Sequence, residues 1–148
     1  MKTLVLGMGN PILGDDGIGL VVARALEGKA ADSVVATSTM IGLDLMDIMT
    51  GYDRVFVIDA MCTREGEPGE VRRISPEGGP GTMHLFTSHG LHFFEIIDLG
   101  RSCGIDMPEI GAVYGIEIGD AVCFDEELSD GLKDKLDGIV EIILRDMG

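Results

Sequence analysis

The sequence is poor in basic and aromatic side chains. Of its 148 residues, 11 are lysine or arginine and 26 are aspartate or glutamate, so the formal net charge is −15. Such a surface repels phosphate backbones and anionic lipid, which argues against a protein that binds nucleic acid or a membrane surface. Tryptophan is absent, and the 2 tyrosines and 5 phenylalanines offer little for stacking on bases or sugars.

Cysteines and long apolar runs are also scarce. The 3 cysteines are Cys62, Cys103 and Cys123, and no two of them have zinc-knuckle or Cys-x-x-Cys spacing. We therefore expect reduced thiols in a cytoplasmic protein. No apolar segment approaches the roughly 20 residues that span a bilayer. The N-terminal residues run directly into a predicted strand and lack the layout of a signal peptide.

What the chain does contain is apolar patterning. Hydrophobic residues make up 45% of the sequence, and we expect a single domain spanning residues 1–148 with its own core. Apolar runs and amphipathic periodicity predict strands at residues 2–7, 33–38, 54–60, 70–74 and 109–118, and helices at 17–27, 41–50, 87–98 and 126–146. The initial βαβαβ order predicts an α/β fold with a parallel sheet, and the strand at 70–74 is expected at or near a sheet edge.

Finer expectations concern helix ends and faces. In the predicted helix 41–50, Leu43, Met46 and Met49 are expected to point inward. Thr87 or Ser88 is expected to cap the helix that follows the Gly- and Pro-rich loop at residues 75–87.

The chemistry is expected at the carboxyl ends of the strands. Residues 4–19 join an apolar run, a Gly-x-Gly turn and two adjacent acids ahead of a helix, and residues 54–60 form an apolar run that contains Asp59. Because open α/β sheets bind ligands at this edge, we expect Asp16, Asp59 and His89 to converge there. Two carboxylates and one imidazole suit a divalent ion such as nickel, iron, manganese or zinc, with positions left open for substrate or water.

These residues could also have purely structural roles. Either of the two adjacent acids could cap the first helix, and Asp59 could merely mark the point where a strand meets its loop. For the histidine, spacing alone does not choose between His89 and its neighbours His84 and His92.

A dinucleotide site at the first turn fits poorly. Gly7 and Gly9 have the spacing of the fingerprint, but Ile12 stands where its third glycine belongs. The end of the second strand carries Thr37 and Ser38 where an acid is expected. A phosphate would also meet the like charge of the two adjacent acids.

Several motifs, in order along the chain, resemble those of the [NiFe] hydrogenase maturation proteases. Residues 7–19, GMGNPILGDDGIG, resemble the N-terminal signature of that family. Residues 57–60, followed by Pro68-Gly69, resemble its second acidic motif. Residues 88–91, SHGL, resemble its segment with a histidine before a helix, and residues 113–117 resemble its late Gly-Ile strand.

The resemblance implies a three-layer α/β/α sandwich with a twisted sheet of about five strands. It implies an endopeptidase that removes the C-terminal extension of a [NiFe] hydrogenase large-subunit precursor, and we expect it to act as a monomer. Asp16, Asp59 and His89 are the implied catalytic and metal-binding residues, and the metal is the nickel already loaded into the substrate or another divalent ion. The resemblance favours His89 over His92 and leaves Asp15 as the helix cap.

One departure from the family pattern lies after the second strand. The family commonly carries an Asp-Gly-Gly-Thr-x-Gly loop, whereas residues 37–42 read TSTMIG and keep only Gly42. This change motivates a second hypothesis, an assembly factor that holds the precursor through its metal without cutting it. A third hypothesis is an α/β enzyme that binds a nucleotide or another small molecule at the same edge.

Overall fold

The protein is built on one five-stranded sheet. A computed structural model describes residues 1–39, 43–63, 65–75, 84, 92–119 and 124–148. The strands are β1 (Thr3–Met8), β2 (Ser33–Ser38), β3 (Arg54–Met61), β4 (Val71–Arg73) and β5 (Glu109–Glu117). Their spatial order is β2-β1-β3-β5-β4, and only the β5–β4 pair is antiparallel. The predicted α/β fold with a mostly parallel sheet is confirmed.

Helices cover both faces of this sheet. They are α1 (Ile18–Ala25), α2 (Leu45–Met49), α3 (Phe93–Ser102) and α4 (Asp130–Met147), and a short 3₁₀ helix, Gly14–Gly17, leads into α1. Leu4 and Leu6 of β1 pack in the cluster with α2 and α3, whereas Val5 packs in the cluster with α1 and α4, as strand alternation requires. The three-layer α/β/α arrangement is therefore confirmed. Within the described residues, no helix has the length and apolarity needed to cross a bilayer.

One predicted core residue and several predicted helix boundaries are wrong. Leu43 lies two residues before α2 and is 58% exposed, whereas Met46 and Met49 are buried as predicted. The helix α3 runs through Ser102 because Gly104, at a φ of +77°, ends it later than the sequence suggested. The helix α4 begins at Asp130 because the preceding residue has an extended backbone.

Part of the predicted organisation lies outside the described residues. This applies to most of the loop at 75–87, to the expected helix caps Thr87 and Ser88, and to Met40–Gly42 of the altered loop. In the described part, α3 begins at Phe93 and His92 is its N-cap.

A close backbone approach fixes the start of α1 on the sheet. A Cβ atom on Gly19 would overlap the carbonyl oxygens of Met8 in β1 and Ile58 in β3. Because these are backbone atoms at the ends of two neighbouring strands, neither can rotate away. Glycine at this position lets α1 sit directly on the sheet, which brings the loop before it beside the end of β3.

We expect Gly19→Ala to destabilise the protein by about 2 kcal/mol, the cost typical of an overpacked core. Gly138→Ala is the matched control, since Gly138 lies in α4 and a Cβ there has no neighbour within 4 Å. That change should stabilise by about 0.5–1 kcal/mol through helix propensity. Urea unfolding followed by circular dichroism measures both. Equal stabilities of wild type and Gly19→Ala would contradict the close approach.

Candidate active site

Asp16 lies in the short 3₁₀ helix between β1 and α1. It is 1% exposed, and its Oδ2 atom accepts a hydrogen bond from the backbone N–H of Asn10 at 3.2 Å. Its Oδ1 atom is buried and has no hydrogen-bond partner in the part of the chain that the structure describes. Neither the 3₁₀ helix nor α1 has a side-chain N-cap, so Asp16 does not act as the cap that the simpler interpretation suggested.

Asp59 lies near the carboxyl end of β3 and is fully buried. Strands β1 and β3 are parallel neighbours, with Gly7 opposite Ile58, so the loop after β1 passes beside the end of β3. The Oδ1 atom of Asp59 accepts a hydrogen bond from the backbone N–H of Ala60 at 2.8 Å. A buried carboxylate at this edge needs several such donors or a counter-ion, because burial penalises its charge.

The imidazole of His84 lies between these two carboxylates. Its Nε2 atom is 2.9 Å from Oδ2 of Asp16, and its Nδ1 atom is 2.7 Å from Oδ1 of Asp59. The backbone N–H of His84 also donates to Oδ2 of Asp59 at 2.6 Å. The side chain of His84 is 16% exposed, so the three residues form a nearly closed acid–imidazole–acid chain at the carboxyl edge of the sheet.

The two carboxylates keep this imidazole protonated. Burial alone lowers the pKa of His84, but hydrogen bonds and charge from Asp16 and Asp59 outweigh burial and raise the pKa from 6.5 to about 10. Both ring nitrogens therefore act as donors, and the imidazolium supplies one positive charge between two negative ones.

The structure thus brings together two of the three predicted site residues. Asp16 and Asp59 meet on the ring of His84, while His89 lies outside the described residues and stays a prediction. His92 is elsewhere: its Nδ1 atom accepts from the backbone N–H of Phe94 at 3.3 Å, and its ring stacks on that of Phe94.

The sequence had no signal that singled out His84. It follows a Gly- and Pro-rich stretch, so no helix or strand periodicity fixes the direction of its side chain. Its two partners are 68 and 25 positions earlier in the chain, and only the folded sheet brings them close.

Asp15 has a different role from the one expected. Its Oδ1 atom accepts from the backbone N–H of Ser129 at 2.6 Å, and its Oδ2 atom accepts from the Ser129 hydroxyl at 2.8 Å. Ser129 is the N-cap residue of α4, so Asp15 binds the start of the last helix instead of capping the first. Adjacent acids thus point to different partners, Asp16 into the site and Asp15 to α4.

A further buried acid, Glu117, supports the loop beside Asp59 and was not predicted. It ends β5, and its carboxylate accepts hydrogen bonds from the backbone N–H and hydroxyl of Thr63 and from the backbone N–H of Gly66. These contacts hold the chain that leaves β3 against the end of β5. Glu117 is therefore a structural acid at the same edge.

Comparison with known proteins shows the family of this chain. The family model of HycI, hydrogenase maturation protease, matches residues 23–146. Hydrogenase 2 maturation protease of Escherichia coli strain K12 is 30% identical over 123 residues, which span 78% of this chain and 73% of that protein. The chain belongs to the hydrogenase maturation protease family. Its predicted class, a hydrolase of the peptidase type, is confirmed at the level of this family.

Solved structures of this family share the fold. HybD from Escherichia coli, a hydrogenase maturating endopeptidase, superposes with a TM-score of 0.74 at 20% identity, covering 100% of this chain and 94% of that one. The [NiFe] hydrogenase maturation protease HybD from Thermococcus kodakarensis superposes with a TM-score of 0.68 at 25% identity, covering 100% of both chains. The sandwich described above is thus the fold of the family.

The carboxylate pair has the chemistry to hold a divalent ion. Carboxylate oxygens are common ligands of first-row metals, and Oδ1 of Asp16 is a buried acceptor whose partner is missing among the described residues. The ring of His84 contacts both acids, one through each nitrogen, so it lies between the two carboxylates and not beside them as a third ligand. Accordingly, no three histidine, cysteine, aspartate or glutamate side chains surround a common metal position in the described residues.

The ionised His84 gives the metal-free protein a pH-dependent stability. Because its pKa is raised on folding, its contribution is complete below pH 6.5 and is lost as the pH rises through about 10. We expect wild type to be more stable than His84→Gln by roughly 2 kcal/mol at pH 6, and by much less at pH 9.5. Urea unfolding with a chelator present measures this difference, and a difference that does not shrink with pH would contradict the assignment.

Proposed function

We propose that this protein removes the C-terminal extension from the nickel-loaded large-subunit precursor of a [NiFe] hydrogenase. The observation that carries this proposal is the meeting of two buried carboxylates, Asp16 and Asp59, at the carboxyl edge of the sheet. Membership of the hydrogenase maturation protease family supplies the reaction class and the kind of substrate. We further propose that the protein acts as a monomer in the cytoplasm. Cys62 and Cys103 form no disulfide in the described part, as is usual in a reducing compartment.

The nickel carried by the precursor is the proposed recognition element. Asp16 and Asp59 would bind it through their carboxylates, and His89 is the proposed third ligand on the strength of the SHGL resemblance at residues 88–91. The unpartnered Oδ1 atom of Asp16 supports this assignment, since it is the one buried acceptor of the pair with no hydrogen bond in the described part. A precursor without nickel would lack the group that these acids recognise.

Binding at fixed carboxylates would also position the scissile bond. Holding the peptide next to the catalytic group replaces a chance encounter with an intramolecular one. Hydrolysis then adds water to the carbonyl carbon and breaks the C–N bond, with a carboxylate accepting the proton of the water and the leaving amine receiving a proton. The substrate's nickel can polarise the carbonyl as well.

The test compares nickel-loaded and nickel-free precursor of the hydrogenases from the same organism. Incubation with the protein should shorten only the nickel-loaded large subunit, and mass spectrometry of the intact subunit measures the loss of a C-terminal peptide. Stable binding of the precursor without any change in mass would contradict the proposal and favour the non-cleaving assembly factor.

Asp16→Asn should lower the rate of cleavage at least about 100-fold, the scale on which a general base or an essential ligand acts. Asp15→Asn is the matched control, since it makes the same chemical change one residue away on a side chain that contacts α4. It should change the rate only a few-fold. Circular dichroism confirms that both variants are folded, and equal losses in the two variants would contradict the separate roles.

A further inference from the structure

His84 occupies the space between the two acids that the proposed function needs for metal recognition. Each ring nitrogen lies within 2.9 Å of a carboxylate oxygen, one on Asp16 and one on Asp59. The ring therefore occupies the space in which an ion shared by the two acids would lie.

The ring and a metal ion exclude each other at this place. Bonds from a divalent first-row ion to carboxylate oxygens are about 2 Å long, so a shared ion draws the two acids closer together than a whole imidazole ring allows. An ion bridging Asp16 and Asp59 can bind only after the ring of His84 has left.

Leaving requires more than a change of side-chain rotamer. The backbone N–H of His84 donates to Oδ2 of Asp59 at 2.6 Å, while the ring donates to Oδ1 of the same carboxylate. Main chain and side chain are thus fixed to one acid, and the ring is fixed to the other. A free ion must therefore displace a residue that three polar contacts hold in place.

We infer that His84 is a specificity residue that closes the carboxylate pair to free divalent ions and yields it to a metal presented by a docked substrate. Exclusion of free ions rests only on the geometry of His84, Asp16 and Asp59. Release by a substrate rests on the proposed function. The contacts of a docked precursor would supply the free energy that a free ion lacks for displacing the ring.

The test is a titration of the metal-free protein with nickel(II) chloride, followed by isothermal titration calorimetry. His84→Ala should bind nickel(II) at least about tenfold more tightly than wild type, which corresponds to about 1.4 kcal/mol. His92→Ala is the matched control, because it removes another imidazole, one whose described contacts are with Phe94 at the start of α3. It should leave the affinity of the carboxylate pair unchanged.

The direction in which His84→Ala changes the affinity for nickel(II) decides the proposal. Weaker binding by His84→Ala would make His84 a ligand and overturn the inference. Equal binding would mean that the ring does not stand between the acids in solution, which also overturns it. The gain should disappear when Asp59→Asn is added to His84→Ala, since the ion must use the pair that the ring vacates. If His84→Ala is poorly folded, His84→Gln takes its place in the titration and should also bind nickel(II) more tightly than wild type.

This experiment uses no precursor, so its outcome is separate from that of the cleavage assay. A tighter nickel site in His84→Ala together with a wild-type protein that never cuts its precursor would leave the exclusion of free ions intact and remove the proposed function. Cleavage by wild type, together with no gain in nickel(II) affinity in His84→Ala, would support the proposed function and overturn the exclusion of free ions.

Discussion

Two buried carboxylates that face each other need a positive charge between them. His84 provides it, through contacts of 2.9 Å to Asp16 and 2.7 Å to Asp59. The carboxyl edge of the sheet is therefore arranged around the imidazole of His84, and the proposed function requires a metal ion to take its place.

The fold supplies this arrangement by packing the backbone closely. Gly19 allows α1 to rest on the ends of β1 and β3, which sets Asp16 beside Asp59. Glu117 holds the chain beyond β3 in place from the neighbouring strand. Backbone contacts thus hold the two elements that carry the acids side by side at one edge of the sheet.

Much of the fold could be predicted from the sequence because it depends on local periodicity. The strand at residues 33–38 and the apolar run that contains Asp59 were read directly from their patterns. The prediction that Leu43 points inward is wrong because Leu43 lies outside α2. The contacts of Asp15 and His84 could not be predicted for another reason: their partners are far away in the chain, and no spacing rule encodes such contacts. His89, assigned by resemblance, stays a prediction.

The contact between Asp15 and Ser129 has a consequence for how the protein opens. It ties the 3₁₀ helix that carries Asp16 to the first turn of α4, and the backbones of the flanking residues reinforce it, since Gly14 donates to Asp125 and Asp125 donates to Ile12. Two segments more than a hundred residues apart thus share one set of contacts. Fraying of the last helix and loosening of the site loop then become a single cooperative event, so the end of the chain contributes to the order of its beginning.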